Sequence, residues 1–162
     1  MIYIIFFIFS TFFFELGKQF QDKRVRKIIY AVAILIPVFL AMVRGDDVGR
    51  DLLVYAKPIF RAAKGYDSFV QFIGYENVEP GFLLIEYIGA HVVRSFSFVL
   101  GITELIIIYC VYKTVLLIGQ EKYLPFCMYI FYTLFYDGTL NIMRQNIACA
   151  LVLLSFAYLF NK

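Results

Sequence analysis

Long apolar runs separated by short charged joints leave this chain very few ways to fold. Five runs cover residues 1–14, 28–43, 97–117, 124–136 and 141–160. Hydrophobic residues make up 62 % of the chain, whereas a soluble domain contains roughly 45–50 %. Lipid must therefore cover much of the surface, because runs of this length would otherwise be exposed to water. The pattern predicts an all-α membrane protein, a polytopic bundle of transmembrane helices.

The first charged joint sets the expected orientation. The apolar run at 1–14 is followed, and not preceded, by a basic cluster between Lys18 and Lys27. A secretory signal carries its positive charge before the apolar core, so this run predicts a first spanning helix. Basic joints stay in the cytoplasm, which predicts an N-terminus outside the plasma membrane. The net charge of +3 is small, and no basic patch indicates a nucleic-acid partner.

The longest polar stretch of the chain covers residues 44–96 and includes the only histidine. Closely spaced glycines and charges at its start predict a loop, followed by a short amphipathic helix over 51–59 that ends around Pro58. Pro80 then predicts the start of a helix over 81–93. At about 1.5 Å per residue that helix is only about 20 Å long, and polar residues interrupt its apolar character.

Charge placement indicates whether that helix crosses the membrane. If residues 81–93 span it, the charged joint at 120–122 lies outside, and Arg44 and Arg144 lie on opposite faces. If they dip in and return, the basic joints stay inside and the polar stretch, which is net negative, lies outside. The positive-inside rule prefers the second arrangement. We therefore expect about five spans plus one re-entrant or interfacial helix, with 44–96 as an extracytoplasmic polar segment.

The start of the last apolar run carries a second polar feature. Asn141, Arg144 and Gln145 would share one face of a helix by the i+3 and i+4 spacing. An arginine beside two amides offers several hydrogen-bond donors, which suit a phosphate or a carboxylate. The structural alternative for Arg144 is an ion pair with Asp137, because an arginine in the first turn of a membrane helix needs a partner.

Other polar residues have structural alternatives as well. For Arg44 and Arg50 the alternative is surface ion pairs with neighbouring aspartates, worth at most about 1 kcal/mol. Glu86 and His91 indicate a polar seam that packs the re-entrant helix, and Glu104 indicates a contact between helices. The three cysteines match no metal-ligand spacing and are expected to act as small buried hydrophobic residues.

Three motifs in this order resemble the EpsG family. They are Arg44-Gly45-Asp46-Asp47-Val48-Gly49-Arg50-Asp51 with Tyr55 and Phe60, Glu79-Pro80-Gly81-Phe82, and Asn141-Ile142-Met143-Arg144-Gln145 with Ala148. That family comprises polytopic membrane proteins of bacterial exopolysaccharide and capsule loci, related to the Wzy-type polymerases. The resemblance covers essentially the whole chain and implies polymerisation of undecaprenyl-pyrophosphate-linked glycan repeat units at the outer face of the plasma membrane. Because family members are longer, residues 1–162 are expected to be the N-terminal part of such a protein, as a single transmembrane domain.

The chemistry that the resemblance implies gives roles to these polar residues. Negative charge grows on the leaving pyrophosphate as an acceptor hydroxyl attacks the anomeric carbon, and fixed arginines stabilise that charge without a metal ion. The pyrophosphate-binding candidates are Arg44, Arg50 and Arg144. Glu79 is favoured as the base that takes the hydroxyl proton, with Asp47 second, and Glu86 and His91 lie in the same segment. The substrate-positioning candidates are Asn141 and Gln145.

Partners and competing functions follow from the same residues. No Asp-x-Asp motif for a nucleotide sugar occurs in the polar segment, so no metal or cofactor is expected. The expected partners are an undecaprenyl-pyrophosphate-linked oligosaccharide, the lipid bilayer and, as further candidates, other polysaccharide-assembly proteins. Two alternatives to a glycosyltransferase-type polymerase stay open. One is a transporter of lipid-linked sugar or another anionic substrate, which would use the same arginines and a re-entrant helix; the other is an accessory membrane subunit.

Overall fold

The computed structural model describes residues 2–45, 48–49, 52–75, 77–119 and 121–161, and the regular elements in these ranges are all helical. The α-helices are α1 (Ile2–Lys18), α2 (Lys23–Met42), α3 (Lys57–Ala63), α4 (Phe69–Phe72), α5 (Pro80–Ile88), α6 (Phe96–Leu117), α7 (Leu124–Asn141) and α8 (Met143–Phe160). A π-helical turn, Leu52–Ala56, leads into α3, and another, Gly89–Val93, extends α5. The predicted all-α class is confirmed.

Three helices of the described chain are long and apolar enough to cross a membrane, namely α2, α6 and α8. Their length and composition agree with the prediction of a helical membrane protein. The helix α1 has 17 residues and α7 has 18, and both pack beside this set of three. The total of about five spans stays a prediction.

A proline inside α2 brings two neighbouring helices into polar contact. Pro37 has no N–H, so the carbonyl of Ala33 one turn earlier lacks its helical hydrogen bond. The hydroxyl of Ser10, a fully buried residue of α1, donates to that carbonyl at 2.7 Å. The Pro37 carbonyl accepts a hydrogen bond of 2.6 Å from the Tyr136 hydroxyl of α7. The helix tolerates Pro37 at this depth because a neighbouring helix satisfies the carbonyl that the proline leaves free.

Contacts between the segments that connect the helices show which of these segments lie at the same end of the bundle. The basic cluster that leads into α2 meets the turn that leads into α7, where Lys18 Nζ donates to the Lys122 carbonyl at 3.1 Å. At the opposite end, Arg44 follows α2 and donates to the Leu140 carbonyl in the last turn of α7 at 2.9 Å. The basic cluster between Lys18 and Lys27 and the segment around Lys122 therefore lie at one end of the bundle. The polar segment begins at the other end.

The polar segment packs over the first half of α6. As predicted, a helix begins at Pro80, and its π-helical extension runs to Val93. This helix approaches α6 so closely that a Cβ on Gly89 would lie 2.4 Å from Val99 Cγ2. Only a glycine allows that approach, which holds α5 against α6.

The expectation that a helix over 51–59 ends around Pro58 is wrong. Helical structure continues through Pro58 to Ala63. Pro58 lies in the first turn of α3, where a missing N–H removes no α-helical hydrogen bond.

The last two helices are separated by a sharp reversal at Ile142. The helix α7 continues beyond the apolar run at 124–136 as far as Asn141, and Ile142 then adopts φ −118° and ψ 62°. The Asn146 side chain of α8 donates to the Gly138 carbonyl of α7 at 2.9 Å. One groove is lined both by Cys127, near the start of α7, and by Leu153 of α8, so α8 folds back beside α7. The prediction that Asn141 shares a helical face with Arg144 and Gln145 is therefore wrong, because Asn141 ends the preceding helix.

Candidate functional site

An ion pair joins the last helix to the polar segment. Arg144 Nη1, in the first turn of α8, lies 3.0 Å from Glu79 Oε2, and Glu79 immediately precedes α5. The guanidinium also lies over the Tyr55 ring, 5.8 Å from its centroid. Both partners are accessible, with 33 % of the Arg144 side chain and 67 % of the Glu79 side chain exposed. An arginine that is held in place and still accessible can bind an anionic ligand.

The structural alternative for Arg144, an ion pair with Asp137, does not form. The Asp137 carboxylate accepts a hydrogen bond of 3.3 Å from the Asn141 side chain, one helical turn further along α7. The reversal at Ile142 separates the helix that carries Asp137 from the helix that carries Arg144. Arg144 pairs across the fold instead, with a residue 65 positions earlier in the sequence.

The ion pair lies at one end of an apolar groove between α5, α6 and α8. The groove has a volume of about 530 Å³, and beyond the ion pair its lining is apolar. The lining residues besides Glu79 and Arg144 are Gly81, Phe82, Ile85, Ile106, Ile147, Ala148 and Leu151. Because α8 starts at Met143, Arg144 marks the end of the groove near the reversal, and the apolar walls extend along the membrane helix from there. This arrangement suits an amphiphile with an anionic group and a hydrocarbon chain.

A second groove lies on the other side of α8, and its lining can be compared with that of the first. It has a volume of about 440 Å³ between α6, α7 and α8. Its lining includes Thr139 and Asn146 but no charged residue. Of these two grooves along α8, only the one beside α5 combines hydrocarbon walls with a cation.

Arg44 closes the reversal between α7 and α8 from the side of α2. Its Nη1 donates to the Leu140 carbonyl at 2.9 Å, and its Nη2 lies 3.4 Å from the Met143 sulfur. Burial lowers the pKa of the guanidinium, and the negative charge of Glu104 opposes that shift. Arg44 thus supplies a donor to a helix C-terminus, where a cation is stabilising.

Gly49 of the first motif lies against the same carbonyl. Its φ of +101° is a conformation that favours glycine, and a Cβ there would lie 2.6 Å from the Leu140 oxygen. The glycine therefore allows the chain after α2 to pass directly over the end of α7.

Glu104, on α6, is almost completely buried, with 2 % of its surface exposed. Its carboxylate accepts a hydrogen bond of 3.0 Å from the Thr139 hydroxyl of α7. The expected contact between helices is therefore present. It gives this buried polar group a hydrogen-bond partner, which a polar side chain inside a membrane helix needs.

Loss of Arg44 is expected to destabilise the fold at the end of α7. Arg44→Ala should lower the free energy of unfolding by about 1.5–3 kcal/mol, since it removes a charged hydrogen bond from the Leu140 carbonyl. Thermal unfolding of the purified protein in detergent measures the effect. The control Arg61→Ala, at an exposed position of α3, should change stability by less than about 0.5 kcal/mol. A loss in Arg44→Ala no larger than that of the control would contradict this role of Arg44.

Comparison with protein families identifies the chain. The family model described as the EpsG family matches residues 27–162, which include all three motifs. The chain belongs to the EpsG family. Among curated proteins and solved structures, no significant match to this chain was found. EpsG-family membership associates the chain with polysaccharide assembly at a membrane.

Within this EpsG-family chain, the structure brings together only some of the predicted site residues. Glu79 and Arg144 form the ion pair, and Arg44 contacts Met143, the residue before Arg144. Asp47 and Arg50 lie outside the described residues, so their expected roles stay predictions. Both substrate-positioning candidates lie near the reversal: Gln145 is exposed beside Arg144, and Asn141 binds the Asp137 carboxylate.

The two other residues considered as bases have different environments. Glu86 is fully buried on α5, and among the described residues neither of its carboxylate oxygens has a hydrogen-bond partner. His91 stacks on Tyr87 with ring centroids 4.1 Å apart, and its Nδ1 lies 3.2 Å from the Tyr87 carbonyl. Neither residue lines the apolar groove that holds the ion pair of this EpsG-family chain.

Proposed function

We propose that this chain polymerises glycan repeat units carried on undecaprenyl pyrophosphate, at the outer face of a bacterial plasma membrane. Exopolysaccharide, capsule or O-antigen would be the product. The observation that carries the proposal is the Arg144–Glu79 ion pair at the end of an apolar groove. A lipid pyrophosphate combines the two properties that the site accommodates, because it has an anionic head and a hydrocarbon chain. In this proposal the head binds at Arg144 and the chain extends along α8.

The reaction needs a cation and a base close together. The acceptor hydroxyl attacks the anomeric carbon of the donor, the bond from that carbon to the pyrophosphate oxygen breaks, and the hydroxyl proton passes to the Glu79 carboxylate. Arg144 stabilises the charge that develops on the departing pyrophosphate. In the unliganded site these two groups bind each other. An arriving pyrophosphate competes for Arg144 and so frees the Glu79 carboxylate to accept a proton.

The other predicted residues complete the site in supporting roles. Arg44 holds the reversal between α7 and α8, so we assign it to the positive field around the pyrophosphate and to the placement of Arg144. Arg50 is proposed as a further cation for the pyrophosphate and Asp47 as the second candidate base. Asn141 and Gln145, on either side of Arg144 in sequence, are proposed to position the sugar.

The proposed orientation places the polar segment outside and the basic joints in the cytoplasm, with five spans and α5 as a re-entrant helix. In a variant without the native cysteines, a cysteine at Lys64 should react with an impermeant thiol reagent in intact cells. A cysteine at Lys122 should react only after the cells are permeabilised, because it shares an end of the bundle with the basic cluster. Labelling at Lys122 in intact cells would contradict this orientation.

The groove provides the test of substrate class. Ala148→Trp fills the groove beside α5 and should reduce long-chain glycan about tenfold, since a bulky side chain there displaces the hydrocarbon chain. The control Val152→Trp lies one turn further along α8, is exposed and lines neither groove. Glycan length profiles from cells with matched protein levels measure both. Equal profiles for the two variants would remove the groove from the proposal.

The side of the membrane on which intermediates accumulate separates polymerase from transporter. In cells with Ala148→Trp, a failed polymerase leaves single lipid-linked repeat units outside, where an impermeant glycosidase digests them in intact cells. A failed transporter leaves them inside, protected from that enzyme until the cells are lysed. Protected repeat units would overturn the polymerase and favour the transporter.

A further inference from the structure

A small basic cavity lies at the end of the bundle opposite to Arg144. It has a volume of about 280 Å³, is open to the surface and is lined by the first turns of α2, the last turns of α6 and the turn before α7. Four cationic residues line it, namely Lys23, Arg26, Lys27 and Lys113. Glu121 and two tyrosines, Tyr30 and Tyr112, complete its polar wall.

The charges around this cavity are unbalanced. Glu121 is its single carboxylate, and it lies 3.5 Å from Arg26 and accepts a hydrogen bond of 3.3 Å from the Tyr30 hydroxyl. Among the described residues, no acidic side chain forms an ion pair with Lys23, Lys27 or Lys113. Three lysines therefore line a common space without an ion-pair partner among the described residues, although the Lys113 ammonium also lies 5.7 Å from the centroid of the Tyr109 ring.

The position of the cations on α2 adds to the imbalance. Lys23 and Arg26 are three residues apart and Lys23 and Lys27 four apart, so like charges are neighbours on one helical face. They also lie in the first turns of α2, where the helix dipole is positive; the N-cap carboxylate of Asp22 accepts a hydrogen bond from the Arg24 N–H and does not line the cavity. A bound anion would relieve the repulsion between the cations that line the cavity.

We infer that this cavity binds the phosphate of an anionic phospholipid headgroup. The helix α2 is long and apolar enough to span a membrane and begins at Lys23, so the cavity lies where the hydrocarbon meets the polar boundary. Basic pockets between membrane helices at this level bind lipid phosphates. The volume fits a phosphate with its glycerol and is near the lower end, about 300 Å³, of small-molecule sites. The site is separate from the proposed polymerase site and does not depend on it.

The test compares two double variants that remove equal charge at the same end of the molecule. Lys27→Gln with Lys113→Gln neutralises two cations of the cavity, whereas Arg24→Gln with Lys122→Gln neutralises two exposed cations that do not line it. The full chain is placed in phosphatidylcholine nanodiscs containing increasing phosphatidylglycerol, and retained lipid is counted by native mass spectrometry. The affinity for phosphatidylglycerol should fall about 30-fold in the cavity variant, because each lysine contributes roughly fivefold to the affinity. In the control variant the affinity should stay within about twofold of that of the unmodified chain.

Additional variants and ligands distinguish a specific headgroup site from misfolding, from diffuse surface attraction and from a site for soluble phosphate. Lys27→Arg with Lys113→Arg keeps the charge and should keep the affinity, which excludes misfolding as the cause of a loss. Equal losses in the cavity and control variants would overturn the inference in favour of diffuse surface attraction. Equal retention of phosphatidylcholine and phosphatidylglycerol by the unmodified chain would overturn it as well. A last measurement adds inorganic phosphate to the chain in pure phosphatidylcholine. If the phosphate stabilises the chain as strongly as phosphatidylglycerol does, the cavity binds a soluble phosphate compound instead of a lipid.

Discussion

Replacement Arg144→Ala is expected to eliminate long glycan chains while single repeat units accumulate on their lipid carrier outside the cell. The guanidinium is the cation at the end of the apolar groove. In the proposed mechanism, its loss removes the charge that stabilises the leaving pyrophosphate. Removing one donor of this kind typically costs about 10²–10³ in rate. The measurement is a glycan length profile from cells whose gene carries the substitution, with protein levels confirmed equal to those of the unmodified chain.

Two further variants show whether that loss is chemical or structural. Arg61→Ala removes an exposed arginine of α3 and should leave the profile unchanged. Arg144→Lys keeps the charge but loses the planar fork, so partial activity is expected. A normal length profile in Arg144→Ala would reduce the Arg144–Glu79 pair to a tie between α8 and the polar segment, and the proposed mechanism would lose its main cation.

Replacement Glu79→Gln is expected to slow polymerisation about 10²–10⁴-fold while substrate binding persists. The amide keeps the size of the side chain and can still contact Arg144, but it cannot take the proton of the acceptor hydroxyl. In purified protein, kcat should fall while the KM for the lipid-linked donor changes little. This division separates a base from a residue that only orients Arg144.

The comparison for Glu79 is Asp67→Asn, which removes another carboxylate of the polar segment. Only the backbone carbonyl of Asp67 makes a described contact, with the Tyr87 hydroxyl at 3.1 Å, so its side-chain substitution should leave kcat unchanged. If Glu79→Gln keeps full kcat, Glu79 is only the counter-ion of Arg144. Asp47 would then become the candidate base to test.

Local patterns in the sequence were sufficient to predict much of the framework. The apolar runs predicted five long helices, of which three are long and apolar enough to cross a membrane, because burial in lipid requires uninterrupted apolar stretches. Pro80 predicted the start of a helix, because a proline in the first turn loses no hydrogen bond. The resemblance of three motifs led to the EpsG family, which the match over residues 27–162 confirms. Each of these inferences depends on neighbouring residues or on a motif.

Long-range pairings could not be predicted in the same way. The reversal at Ile142 has no glycine or proline to mark it, so residues 141–145 appeared to be one helical face. The structural alternative for Arg144 was a pair with the nearest acid in sequence, Asp137, whereas Arg144 pairs with Glu79. The available signal was the cost of an unpaired charge near lipid, which predicts that Arg144 and Glu104 have partners but not which ones.

The ion pair between Glu79 and Arg144 also has a consequence for the order in which the protein is made. Glu79 leaves the ribosome well before Arg144, since 65 residues separate them and synthesis proceeds at about 5–20 residues per second. For several seconds the nascent polar segment has its carboxylate but neither the arginine nor the α8 wall of the groove. The Leu140 carbonyl that receives Arg44 is likewise made late. The proposed site is therefore complete only after α8 has been inserted, and a nascent chain that stops before α8 lacks the arginine that is proposed to bind the pyrophosphate.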